Sequence, residues 1–192
     1  LRKLSAVLLA AALCLSGCGL SSSIGVAPLH LASIPGRAVI VFGVAVDADW
    51  PFDGFSVNLD QYDLGRQNIT GNCFWFEHVG ATLKNPTLGK KQYFAFVVPP
   101  GAYAYSPFNG AVLEGPSRAF LAPPGQVTYL GDFTFVGSGS GMPVRNDRLV
   151  RLDDRIVTLT SDLSGARQAT GSDAISARMV EVRPPHAFLC TP

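Results

Sequence analysis

The residues of this chain with the chemistry for catalysis or metal binding are few and scattered. Its three histidines, His30, His78 and His186, have no partner at ligand spacing. There is no HExxH, no C-x-x-C and no pair of histidines two or four residues apart. Glu77 and His78 are adjacent on an expected strand, so their side chains point to opposite faces and cannot act as a couple. Asp47, Asp49 and Asp53 in DADWPFDG come closest to a metal loop, since clustered carboxylates are the hard oxygen ligands that calcium prefers. The EF-hand pattern fails, with Pro51 at the fifth position and Asn58 where a bidentate glutamate belongs. GSGSG at 137–141 has Gly139 at the centre, where a nucleophile elbow requires serine, and Ser140 has no nominated base. No phosphate-binding or dinucleotide fingerprint is present. The expectation is therefore no enzyme, no metal and no cofactor.

Aromatic residues are the other candidates for recognition. Trp50 and Phe52 in the acidic loop could form a tip for a partner or a sugar, although such a loop more commonly folds its aromatics back onto the domain. Tyr93, Phe94, Phe96, Tyr103, Tyr105 and Phe108 could line a groove, against core packing as the commoner use of such residues. Trp50, Phe52, Tyr103 and Tyr105 are the candidate ligand or partner surface. Arg145, Arg148, Arg151 and Arg155 are interrupted by Asp147, Asp153 and Asp154 and read as a solvated face.

The strongest signal lies at the N-terminus. Arg2 and Lys3 precede the apolar run LSAVLLAAALCL from Leu4 to Leu15, a charged and then apolar arrangement of signal-peptide length. As a helix this run would cover about 18 Å, too short to cross a hydrocarbon core of about 30 Å. Leu15-Ser16-Gly17-Cys18 then resembles the lipobox of bacterial lipoproteins, with all four positions matching. That resemblance implies cleavage before Cys18, acylation of its thiol and anchoring of the protein in a membrane. A single acyl chain anchors marginally, whereas two or more hold stably. Cys14 is a poor alternative because Leu13 is bulky for the cleavage position. Gly19 stands where an aspartate would favour the inner membrane in that family, so the resemblance leans toward the outer membrane.

Composition narrows the partners. Loss of residues 1–17 removes Arg2 and Lys3 and turns 15 basic against 14 acidic residues into 13 against 14, a net charge of −1. The basic residues are interspersed with acids, so no nucleic-acid partner is expected. Cys73 and Cys190 remain after Cys14 is cleaved off and Cys18 is acylated. In an exported protein such a pair reads as a disulfide, with two buried free thiols as the alternative, since sequence does not set the Cα separation.

The elements that would position these residues are mainly strands. GLSSSIGVAP at 19–28 reads as a tether. AVIVFGVAV (38–46) is an apolar run buried on both faces, and FSVNLDQYD (55–63) alternates, with Ser56, Asn58 and Asp60 on a polar face. NCFWFEHV (72–79), YFAFVV (93–98) and GQVTYLGDFTFV (125–136) add strands. In the last of these Val127, Tyr129, Phe133 and Phe135 alternate around Gly131, which marks a bulge. FVVPPGAYAY (96–105) and FLAPPGQVTY (120–129) share Pro-Pro-Gly at matching positions and predict two type II turns between strands. GSGSGMP (137–143) reads as a linker, RLVRL (148–152) and RIVTL (155–159) as a hairpin, DLSGARQAT (162–170) as a short helix capped by Ser161 or Asp162, and ISARMVEV (175–182) as a last strand. The expected fold is mainly β, an antiparallel β-sandwich with little helix. Its divisions are a signal peptide at 1–17, a lipidated tether at 18–36, a sandwich at 37–136, and a linker, hairpin, helix and strand packing on it at 137–192.

The turn motifs carry a second resemblance. Pro100, Gly101, Tyr103, Pro124, Gly125, Tyr129, Leu130 and Gly131, within residues 38–136, are similar to the prealbumin-like or carboxypeptidase-regulatory-like β-sandwich domains of bacterial lipoproteins. These are turn and packing residues, so the likeness implies a fold and no activity. The combined expectation is a cell-envelope lipoprotein, facing the periplasm or the cell surface, that is held to the membrane through Cys18. It would serve as a non-enzymatic binding or scaffolding module for envelope proteins, with a periplasmic small-ligand or glycan-binding protein as the alternative.

Overall fold

A computed structural model describes residues 32–50, 52–70, 78–105, 116–137 and 157–185. Cys18, Cys73 and Cys190, the Arg145–Arg155 stretch, His30, His186, Phe108 and the Gly/Ser linker from Ser138 onward lie outside these residues.

The first strand, β1 (Ala38–Val46), is buried along its whole length. An apolar run with no polar face can satisfy this only at the centre of a sheet covered on both sides. It pairs with β5 (Gln92–Val98) on one side and β8 (Val127–Phe135) on the other. Along the far side of β8 lie β10 (Ile175–Ser176) and β9 (Val157–Thr160), which complete the first sheet. The second sheet runs β11 (Met179–Val182), β7 (Ser117–Ala122), β6 (Gly101–Tyr105) and β2 (Gly54–Asp63). Beyond β2 lie β4 (His78–Lys84) and the two-residue β3 (Asn68–Ile69). The inward faces share one core in which Phe42, Phe133 and Tyr105 are wholly buried, with Phe133 edge-on to Phe42 and stacked on Tyr105.

The fold is the expected β-sandwich, with four differences. Sheet one is mixed and not wholly antiparallel, because β8 runs parallel to β1 and to β10. The cause is the route: both Pro-Pro-Gly motifs carry the chain between sheets, β5 to β6 and β7 to β8, so β8 re-enters from the end where β1 began. Only the second motif has the positive φ of an ordinary turn, +69° at Gly125; Gly101, at +156°, opens β6 directly as a sharp bend. The third difference is that the expected polar face of β2 is covered, leaving Ser56 and Asp60 buried. The fourth is that the single last strand is two, β10 in one sheet and β11 in the other, because the chain crosses over at Ala177–Arg178. Alternation along a strand records its two faces but not which sheet it joins.

The C-terminal segment is thus part of both sheets. It also supplies the helix α1 (Leu163–Thr170), capped by Asp162 and ended by a left-handed Gly171. Ala166 and Leu163 pack on Val39, Val41 and Tyr129, the outward face of the first sheet. Gly131 makes this possible. Between Val41 and Gly43 on β1 the partner advances from Tyr129 to Asp132, one residue too many. This bulge reverses the alternation, so Val127 and Tyr129 face the helix while Phe133 and Phe135 enter the core.

Gly131 has φ +118°, and a Cβ there would lie 2.7 Å from Leu159 Cδ1 and 3.0 Å from the Thr160 carbonyl oxygen. Gly131→Ala is expected to cost about 2 kcal/mol or more through backbone strain and this clash. Urea unfolding followed by circular dichroism checks it, and an unchanged midpoint would remove the bulge from its central role.

Candidate functional site

The structure sets two polar clusters against the outward faces of the two sheets. The first surrounds Lys91, just before β5. Its Nζ lies 2.5 Å from Asp132 Oδ2 on β8 and 3.2 Å from Asp162 Oδ2 at the start of α1. The Tyr93 hydroxyl is 3.4 Å from both Lys91 Nζ and Asp162 Oδ2, and the Asp162 backbone N–H donates to the Tyr129 hydroxyl at 2.9 Å. Asp132 is wholly buried, and its Oδ1 has no partner among the described residues. The carboxylate lies over Gly43, where a Cβ would overlap Oδ1. Glycine at position 43 is therefore what allows the Lys91–Asp132 bridge to cross β1.

The electrostatics decide what this cluster can do. Burial disfavours the Lys91 charge, but the hydrogen bond and negative charge of Asp132, with help from Tyr93 and Asp162, outweigh it and hold the ammonium well above its ordinary pKa. Burial also raises the Tyr129 and Tyr93 hydroxyls, and the charge of Asp132 adds to both shifts. Asp162 is held below the usual carboxylate range, first by the Gly165 backbone N–H, then by Lys91 and Ser164. Near neutral pH Lys91 is therefore an ammonium and Tyr93 and Tyr129 are protonated phenols, so none of these three is a nucleophile or a general base. What the cluster does is fasten the N-terminus of α1 to the sheet. Gly165 serves the same contact, since a Cβ there would meet the Asp162 carboxylate and approach the Tyr93 hydroxyl to 2.9 Å.

The second cluster lies on the outward face of β2 and β4. Asp60, wholly buried, faces His78 across the strands, with Oδ1 2.6 Å from Nδ1. Asp60 Oδ2 has no hydrogen-bond partner among the described residues. Asn58 and Gly80 form the neighbouring pair, followed by Ser56 and Thr82, whose hydroxyls are 2.7 Å apart. A carboxylate orienting an imidazole is half of a nucleophilic triad. The Ser56–Thr82 pair lies four residues further along β2, about 13 Å away at strand spacing, so these hydroxyls do not complete one. No group of three His, Cys, Asp or Glu residues converges as a metal site among the described residues.

The sequence-nominated aromatics are mostly interior. Tyr103 and Tyr105 are wholly buried, which corrects their assignment to a ligand surface: the alternation of β6 turns both inward. The Tyr103 hydroxyl donates to the Pro99 carbonyl at 2.8 Å. Trp50 folds back, its Nε1–H donating to the Gly54 carbonyl at 2.9 Å and its ring meeting Phe52, Phe55 and Phe135 at centroid distances of 5.1, 5.1 and 4.9 Å. Trp50 and Phe52 remain partly exposed at the loop, beside exposed Asp47, Asp49 and Asp53. Neither polar cluster was singled out from sequence. Asp132 follows the bulge glycine Gly131, and Asp60 lies on the polar face of an alternating strand, but their partners lie 41 and 18 residues away in the chain. No spacing rule links residues that only strand pairing brings together.

Lys91→Met is expected to destabilise the domain by about 2 kcal/mol at neutral pH. The cost is less than the 3–5 kcal/mol of a fully buried pair, because the Lys91 side chain is 30% exposed. The raised Lys91 pKa contributes stability that is complete below the ordinary lysine value and is lost as pH rises through the folded value; the lowered Asp162 pKa contributes stability present above the ordinary carboxylate value and lost as pH falls through the folded one. Urea midpoints across pH should therefore fall at both extremes, with the alkaline fall reduced in Lys91→Met and the acid fall reduced in Asp162→Asn. Unchanged profiles would show that the cluster does not hold α1. Compared with known proteins, the chain matches no family model, no curated protein and no solved structure.

Proposed function

We propose that this chain is a lipid-anchored cell-envelope protein, held through acyl chains on Cys18, whose β-sandwich is a non-enzymatic binding or scaffolding module for other envelope proteins. The observation that carries the reading is Leu15-Ser16-Gly17-Cys18, closing a charged and then apolar N-terminus. Gly19 after the cysteine inclines the location toward the outer membrane.

The geometry of the domain supports such a use. Arg37 enters β1 beside the second Pro-Pro-Gly corner, its carbonyl accepting from Gly125 N–H at 2.7 Å, and the first corner follows Val98, the partner of Ala38. The loop after β1, with Trp50 and Phe52, and the Thr87–Lys90 turn lie at the other end; Gly89 N–H donates to the Val46 carbonyl at 2.9 Å. Nine residues of β1 separate these ends by about 30 Å. The chain thus enters the domain at the end of β1 opposite to the Trp50 and Phe52 loop, which leaves that loop clear of the tether's attachment point. Confinement to a surface raises the effective concentration toward neighbouring partners, so weak contacts suffice. The Lys91 cluster fits a module without catalysis, since its charged groups are committed to holding α1.

Two measurements test the anchor. The N-terminal tryptic peptide of membrane-extracted protein should begin at Cys18, end at Arg37 and carry a diacylglycerol group and an amide-linked acyl chain. Cys18→Ala should move the protein from the membrane to the soluble fraction with its unfolding midpoint unchanged. An unmodified peptide beginning elsewhere, or a variant still recovered with membranes, would overturn the proposal.

A further inference from the structure

We infer that the outward face of the second sheet holds a docking groove for an extended, proline-containing segment of an envelope protein that brings a lysine or arginine side chain to Asp60. The chain's own Arg183–Pro185 segment fills this groove in the absence of such a partner. The inference rests on the binding-module reading above and names its site and the chemistry of its partner. The floor of the groove is one row across five strands, since His78, Asp60, Ala104, Ala119 and Val180 are successive partners on β4, β2, β6, β7 and β11. Ala104 and Ala119 rise little above the sheet, and Tyr62, Leu64 and Val182 pack around this low strip as one apolar cluster. Asp60 stands at its end. The carboxylate is wholly buried, Oδ1 is held by His78 Nδ1 at 2.6 Å, and Oδ2 has no hydrogen-bond partner among the described residues. A buried anionic oxygen without a donor costs free energy that a cationic side chain would recover.

The resident segment shows what such a groove accepts. β11 lies three strand spacings from β2, about 14 Å. Yet Arg183, the residue after β11, is bonded to β2 and to the turn that follows it. Its carbonyl accepts from the Tyr62 hydroxyl at 2.9 Å, and its N–H donates to Gln67 Oε1 at 3.0 Å. The segment has therefore left the line of β11 and crosses above β7 and β6, with Pro184 half-buried and Pro185 buried. Both bonds use backbone atoms, and the prolines favour an extended chain, so a foreign segment of the same kind can make the same contacts. What the resident segment does not supply is a donor for Asp60 Oδ2. Of the charged groups nearby, Asp63 pairs with Arg66 at 3.8 Å, and Glu181 and Arg183 are exposed. The unmet charge is thus negative, and the partner's must be positive. As part of the same chain, the resident segment competes at an effective concentration of about a millimolar. The ion pair with Asp60 is the contact by which a partner exceeds it.

The test uses the full chain and a capped, fluorescein-labelled peptide, VRPPKVRPPK, which offers cations at several registers. Its counterpart, VEPPEVEPPE, has glutamate at each of those positions. Fluorescence anisotropy should show saturable binding of the basic peptide, with the acidic one about tenfold weaker or silent. Pro184→Gly combined with Pro185→Gly loosens the resident segment without altering the groove and should tighten binding several-fold, whereas Asp60→Asn should weaken it about tenfold. On addition of the basic peptide the Arg183 amide should exchange faster with deuterium, because its bond to Gln67 is given up. Equal binding of the two peptides, no binding even by the loosened chain, an Asp60→Asn variant that binds as tightly, or binding that leaves the Arg183 amide protected would overturn the inference. The comparison of peptides depends on no variant folding. Because none of these measurements needs a membrane, binding by a chain whose Cys18 proves unacylated would contradict the anchor and leave the groove standing, and an acylated chain that does not bind would do the reverse.

Discussion

A strand that is apolar on both faces cannot lie in the outer layer of a two-layer sandwich unless something else covers it. AVIVFGVAV is such a strand, with Val39 and Val41 directed away from the main core and still wholly buried. The rest of the architecture answers that constraint. One face of β1 packs on the second sheet, and the other is closed by α1, which the chain supplies only after it has completed β9. Burying Val, Leu and Tyr side chains there contributes about 1.5–3 kcal/mol each, enough to make the C-terminal segment integral to the domain.

Polar groups then hold that cover in place. Asp132 reaches the outward face because the Gly131 bulge shifts the alternation, and Gly43 leaves room for its carboxylate. Lys91 bridges it to Asp162, whose carboxylate also accepts from Gly165 N–H at 2.9 Å and so starts the helix. One carboxylate therefore serves as cap and anchor. The cluster has the composition of an active site, but its charges are spent on a helix terminus, and the locked protonation of Lys91 and the tyrosines suits a fastening.

Much of the fold was legible where a rule acts over a few residues. The both-face burial of β1, the bulge at Gly131 and a short helix capped by Ser161 or Asp162 all follow from local pattern, and all are present, with Asp162 as the cap. What was not legible depends on pairing between distant segments. The parallel β1–β8 contact, the division of 175–182 between two sheets and the burial of Asp60 leave no periodic trace. Tyr103 and Tyr105 show the same difficulty, since a strand's alternation does not say which face meets the core. The two polar clusters belong to this class: each joins residues from separate strands, with side chains that read individually as solvated.

The proposed envelope role draws on the N-terminal motif, and the structure around Lys91 explains how the buried Asp132 carboxylate helps to hold α1 on the sheet. The account of the fold depends on the C-terminal cover being part of one cooperative unit with β1. Hydrogen–deuterium exchange at neutral pH, read by peptide, tests that claim directly. The account predicts that amides of α1 and of β1 exchange with the same opening free energy, equal to that of global unfolding. An α1 that exchanges orders of magnitude faster while β1 stays protected would contradict it.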